Sequence, residues 1–149
     1  MSASVADCGA YKEVDVATAS QGKLIVMLFN GAIQRAEEAK RQLEKSQREG
    51  AHNNLIRAQE IIAELRGALN MGAGAIAGNL DRVYEYFQHL LIRANVAKDV
   101  QPINECVSMM TSVRDTWQEL FDALAKEEKP TKRPPEVNQH GSAIINVQG

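Results

Sequence analysis

Cysteine, aromatic residues, proline and net charge are all scarce in this chain of 149 residues, and each scarcity narrows what it can be. The two cysteines, Cys8 and Cys106, stand far apart with no CxxC partner. Reduced thiols are therefore expected, not a disulfide framework or a zinc site. Aromatics make up 5% of the residues, with a single Trp, which is thin material for a base-stacking platform. A formal net charge of −2 gives no basic footprint for nucleic acid. The longest apolar run, Leu24 to Phe29, is far below the ~18 residues of a membrane-spanning helix. No basic segment followed by an apolar run opens the sequence, so no signal peptide is expected. Together these point to a cytoplasmic protein with no membrane insertion and no nucleic-acid partner.

Proline divides the chain. Pro102 is the only one before residue 129, and Pro130, Pro134 and Pro135 follow close together. Residues 129–149 carry Pro, Gly and polar residues without period and are expected to form a disordered tail. Its only apolar cluster, Ala143 to Val147, is too short to build a core. The tail holds Lys129, Lys132 and Arg133 against Glu136, a charge of +2, which leaves the body at −4 (14 basic against 18 acidic). Residues 1–18 form a short N-terminal lead, and the body spans 19–128.

What the body does have is helical periodicity. Ile25, Leu28, Ala32, Ala36, Ala39 and Leu43 step by three or four. Ser20 is placed to cap this segment, since its hydroxyl can accept from free amides of the first turn. Glu37–Arg41 and Glu44–Arg48 have the acid-first spacing that supports an exposed helical face. Leu55, Ala58, Ile62, Leu65 and Leu69 define a second helix, ending by Gly72. Ile76, Leu80, Val83, Phe87, Leu90 and Ala94 define a third. The fourth runs through Ile103, Val107, Met110, Val113, Trp117, Leu120 and Leu124. Asp99 can cap it, and Pro102 is tolerated in its first turn, where an N–H would be unpaired anyway. No window alternates with period two. The expected fold is all-α, an antiparallel four-helix bundle.

Chemistry is hard to find in these seams. A di-metal bundle site needs Glu-x-x-His pairs facing inward, and the seams are apolar. His89 follows Glu85 by four residues on an outer face, His52 opens a helix, and His140 lies in the tail. No nucleophile sits beside a base, so neither metal, cofactor nor enzymatic activity is expected. Met71-Gly-Ala-Gly-Ala-Ile-Ala-Gly78 has the glycines of a phosphate loop but not its Gly-Lys-Ser/Thr ending, and it follows a helix. It reads as a connection whose glycines end one helix and admit the next.

One anomaly remains. Leu24 to Phe29, with Ala32 and Ile33, is apolar nearly all round the helix, whereas a bundle helix buries one broad stripe. With Leu28 at the centre of the seam, Met27 falls near one edge and Phe29 near the other. Val26 and Ile33 lie further out. Ile92 and Val96 are off-seam in the third helix. The lead around Tyr11 and Val14, a second subunit or an apolar partner could cover the excess.

Several segments resemble those of the flagellar export chaperone FliS family. They are Tyr11, then Val16-Ala-Thr-Ala-Ser20, then Leu24-x-x-Met27-Leu28-Phe29-Asn30-Gly31-Ala32-Ile33. Next come Ala58-Gln59-x-Ile61-Ile62-x-Glu64-Leu65 with Leu69, and Ile76-Ala77-x-Asn79-Leu80-x-x-Val83-Tyr84-x-Tyr86. Leu91-x-x-Ala94-Asn95, Asp99, Val113-Arg114 and Trp117 complete the series. Their order and spacing carry the resemblance, over residues 11 to about 120. The chain departs from the family at Phe29, where Tyr is usual, at Gln21-Gly22, where Pro-Glu is usual, and at Val83, where Leu is usual. The tail lies outside the matching stretch.

The resemblance implies a small cytosolic bundle without enzymatic activity. Such a chaperone binds the disordered C-terminal segment of flagellin, prevents premature polymerisation and passes its client to the cytoplasmic side of the flagellar export gate. On that reading Ile25, Leu28, Leu65, Leu80, Phe87 and Trp117 form core. Met27, Phe29 and Ile33 are expected on the partner surface, with Tyr84 and Tyr86 at a groove margin. Asn95 either bonds a partner's main chain or caps the third helix. The lead, through Tyr11, is expected to cover the apolar strip until flagellin displaces it. The competing function is a structural or regulatory homodimer using the same strip.

Overall fold

A computed structural model describes residues 14–70, 72 and 74–128. Tyr11, Cys8, His140 and the tail fall outside the described residues. Four helices follow one another: α1 (Val14–Glu44), α2 (Arg48–Gly67), α3 (Ala75–Ala97) and α4 (Gln101–Glu128). No strand occurs among the described residues. α1 packs on α2 and α4, and α3 packs on the same two, so the four close into a ring. Cross-helix hydrogen bonds give the direction of α3 relative to α2. Asn95 meets His52, Gln88 meets Gln59, and Asp81 meets Arg66. As one number rises the other falls, which is the mark of an antiparallel pair.

The starts and stops have local causes. α1 begins at Val14, so Ser20 lies inside the helix and is not its cap. Nothing from Val14 to Ser20 breaks a helix, since neither Pro nor Gly occurs there. α1 ends at a Schellman-type turn. Ser46 takes φ 59°, and the Gln47 N–H donates to the Gln42 carbonyl at 2.8 Å. That turn places Glu44 and Arg48 on different helices, so the expected pair between them does not form. Arg41 pairs with Glu38 instead of Glu37. α3 ends the same way, with Lys98 at φ 52° and the Asp99 N–H donating to the Ala94 carbonyl. Asp99 then turns the chain into α4, its Oδ1 accepting from the Gln101 N–H at 3.0 Å. Pro102 is buried in the first turn of α4. Between α2 and α3, Gly74 has φ +97°, a left-handed conformation that favours glycine. Gly78, by contrast, faces open space.

The core is apolar throughout. Phe29, Ala32, Ile33, Ala36 and Ala39 of α1 meet Ala51, Leu55, Ala58, Ile61, Ile62 and Leu65 of α2. Tyr84, Phe87, Leu90, Leu91 and Ala94 of α3 and Ile103, Cys106 and Met110 of α4 complete it. No charged side chain is buried among the described residues. Cys106 is fully buried. Its Sγ donates to the Phe87 carbonyl at 3.7 Å, and burial, with Glu105 adding to it, pushes its pKa up to about 12. A neutral thiol in this setting behaves as a small apolar group.

α1 is the place where the sequence pattern misleads. Phe29 and Ile33, expected on the partner surface, are buried, while Leu28 is only half-buried. The centre of the buried arc is turned from Leu28 toward Phe29 by a large part of the ~100° that separates consecutive residues. The reason is that α1 has two neighbours. Gly31 faces Ile61 of α2, and Gly22 faces Phe121 of α4. An arc serving two contacts is wider than one stripe.

Candidate partner-binding site

Four helix ends converge on one apolar pocket of about 270 Å³. α1 contributes Gln21 and Ile25, and the end of α2 contributes Leu65, Ala68, Leu69 and Asn70. The start of α3 adds Ile76, Ala77, Leu80 and Tyr84, and the last turns of α4 add Trp117 and Phe121. The described chain enters at Val14 and leaves at Glu128, both on the same side as this pocket in the antiparallel ring.

An aromatic chain builds the wall. The ring of Phe29 meets Tyr84 edge-on at 5.6 Å, and Tyr84 stacks on Phe87 at 6.0 Å. The Trp117 Nε1–H donates to the Tyr84 hydroxyl at 2.9 Å, and Trp117 stacks on Phe121 at 5.4 Å. Burial, outweighing the bond from Trp117, pushes the Tyr84 phenol above its ordinary pKa, so it stays a neutral acceptor. Gly22 makes the arrangement fit. A Cβ there would stand 2.5 Å from the Phe121 ring. The glycine at this position thus admits an aromatic ring.

Around the pocket lies exposed apolar surface. Ile76 is 65% exposed, and Leu120 and Leu124, each three residues beyond Trp117 and Phe121, are 46% and 38% exposed. On α1, Leu24 is 52% and Met27 63% exposed. With Gly31 they fall on one stripe (spacings of three and four), which approaches α2 at Gly31, beside Ile61. A second strip, Ile56, Ile92 and Val96, lies on the outside of α2 and α3. An exposed apolar area on this scale usually marks an interaction surface.

The site residues expected from sequence are therefore scattered. Met27 stands on the surface. Phe29 and Ile33 are inside the core, a correction to their expected exposure that follows from the rotation of α1, whereas Tyr84 is buried yet lines the pocket. Tyr86 is partly exposed at the α3–α4 seam, and its hydroxyl donates to Glu105 Oε2 at 2.6 Å. That bond, with the charge of Glu105, raises the Tyr86 pKa. Asn95 joins α3 to α2. Its Nδ2 meets His52 Nδ1 at 2.9 Å, and its Oδ1 accepts from Lys98 Nζ at 2.7 Å. Both ends of its amide are thus engaged within the chain. Leu65 and Phe87 are buried, while Ile25, Leu28, Leu80 and Trp117 pack on the core from its margin. Sequence reading missed Phe121, Ile76 and the exposure of Leu120 and Leu124. The signal for Phe121 was Gly22, two residues before the apolar run.

No group of three or more His, Cys, Asp or Glu side chains that could hold a metal occurs among the described residues. No described helix is long and apolar enough to cross a membrane.

The decisive observation comes from comparison with known proteins. The model of the family described as "Flagellar protein FliS" matches residues 4–124. This chain is a member of the FliS family. The flagellar secretion chaperone FliS of Bacillus subtilis is 31% identical over 118 residues, covering 79% of this chain and 88% of that protein. FliSB of Pseudomonas aeruginosa is 33% identical over 106 residues, 70% and 84% of the two chains. FliS of Vibrio cholerae is 30% identical over 143 residues, 93% and 96% of the two chains. That last alignment leaves room for only part of residues 129–149 to lie outside it, so the likeness reaches into the tail. In this FliS-family chain the pocket is bordered by exposed apolar side chains.

Proposed function

We propose that this chain is a non-enzymatic, cytoplasmic flagellar secretion chaperone whose client is the C-terminal segment of flagellin. It keeps that segment from polymerising and helps deliver it to the cytoplasmic part of the flagellar export gate. The relatives' printed names supply the flagellar secretion role, and the apolar pocket with its exposed rim supports the mode of binding. A segment that is disordered when free must gain enough from burial to offset its ordering. Each fully buried Leu- or Ile-sized side chain contributes about 2 kcal/mol, so several anchors are needed. Leu24 and Met27 along α1, and the pocket at the helix ends, offer separate places for them. The lead precedes Val14, at the end of the ring where the pocket opens, which supports its role as a displaceable cover.

Light scattering of the full chain with and without a peptide of the flagellin C-terminal segment tests this reading. A 1:1 complex supports it. A tight homodimer indifferent to the peptide supports the competing structural role instead.

A further inference from the structure

We infer that the apolar cluster of the chain's own tail, Ala143 to Val147, occupies the α3–α4 side of the pocket and competes there with the client. This rests on the proposed function only for its regulatory meaning, since the docking itself stands on four features of the chain.

The first is position. α4 ends at Glu128, seven residues past Phe121, a rise of ~10 Å. The second is reach. Fourteen residues separate Glu128 from Ala143, and such a stretch spans up to ~48 Å when extended, ample to return to the pocket mouth. The third is complementarity of surface. Ile76, Leu120 and Leu124 are exposed at that mouth, and Ile144, Ile145 and Val147 are the apolar run available in the tail. The fourth is charge. The last ten residues of α4 carry Glu119, Asp122, Glu127 and Glu128 against Lys126, and the tail opens with Lys129, Lys132 and Arg133. Three cations beside an acidic helix C-terminus are favoured both by the side chains and by the helix dipole, and they turn the chain back along α4. A tether of this length holds the cluster at an effective concentration in the millimolar range, so even a weak intrinsic contact is populated.

Trp117, the only tryptophan, lines the pocket and reports on its cover. In the full-length chain, Ile144→Asp with Ile145→Asp is expected to shift Trp117 emission to the red and to raise its acrylamide quenching about twofold, with unchanged helicity. A peptide of residues 138–149 added to that variant is expected to reverse the shift at millimolar concentration. Affinity for a flagellin C-terminal peptide is expected to rise roughly two- to tenfold. Unchanged emission and quenching would overturn the inference. So would a shift produced only by deleting residues 1–13, which would assign the whole pocket to the lead. The fluorescence arm uses no flagellin, so failure of the client reading would leave the tail shift intact.

Discussion

The indole Nε1 of Trp117 donates to the hydroxyl of Tyr84 at 2.9 Å, tying α4 to α3 in the wall of the pocket. Tyr84 is otherwise enclosed by apolar side chains, so this bond satisfies a buried phenol. Tyr84→Phe leaves the ring packing intact and removes only the bond. A loss of about 1 kcal/mol is expected, read as a fall in melting temperature of about 3 °C. A fall several times larger would show that the phenol organises the core.

Alkaline pH reaches the same region. The folded pKa values of Tyr84 and Cys106 are raised by burial, that of Cys106 to about 12. Raised folded values mean that stability is fully present below the unfolded values and is lost as pH climbs through the folded ones. The unfolded thiol ionises near ~8.5 and the phenol near ~10, so stability is expected to decline from about pH 9 to 12. Cys106→Ala should flatten the lower part of that decline, and Tyr84→Phe the upper part. Urea unfolding as a function of pH checks both.

Gly22 and Phe121 form a pair with a sign reversal. Gly22→Ala puts a Cβ against the Phe121 ring and is expected to cost about 1 kcal/mol, overpacking outweighing the gain in helix propensity. In a Phe121→Ala background the same change is expected to stabilise by about 1 kcal/mol, since propensity alone remains. A double-mutant cycle gives the answer. Additive effects would mean that the close approach has no energetic consequence.

Surface and core on α1 should separate cleanly. Met27→Asp changes an exposed side chain and is expected to leave melting within a few degrees while weakening the flagellin peptide at least tenfold. Phe29→Ala empties a fully buried position and should cost about 3–5 kcal/mol. Ile33→Asp places a carboxylate in the core, so it is expected to unfold the chain and not to weaken binding selectively. Thermal melts alongside peptide titrations distinguish these outcomes.

Much of this arrangement was legible in the sequence. Steps of three and four gave the helices, and α2 buries Leu55, Ala58, Ile62 and Leu65 as its spacing implies. The site was less legible, because residues on one wide arc look alike until their neighbours are known. Phe29 and Met27 are two residues apart, yet one is sealed and the other is open. Only the pairing of α1 with both α2 and α4 decides between them. Likewise Ile76 continues the apolar spacing of α3 but stands exposed, because it sits at the helix end, where the ring of helices opens into the pocket. Asn95 could not be placed from sequence, since its partner His52 is 43 residues away.

Titration calorimetry of the full-length chain with a peptide of the flagellin C-terminal segment, repeated at several temperatures, tests the central claim most directly. The expected result is a 1:1 complex with a large negative heat-capacity change, the mark of apolar surface buried as a disordered segment folds onto the pocket and the α1 stripe, and a marked loss of affinity in Met27→Asp. Heats no larger than dilution, or binding that Met27→Asp leaves untouched, would contradict it.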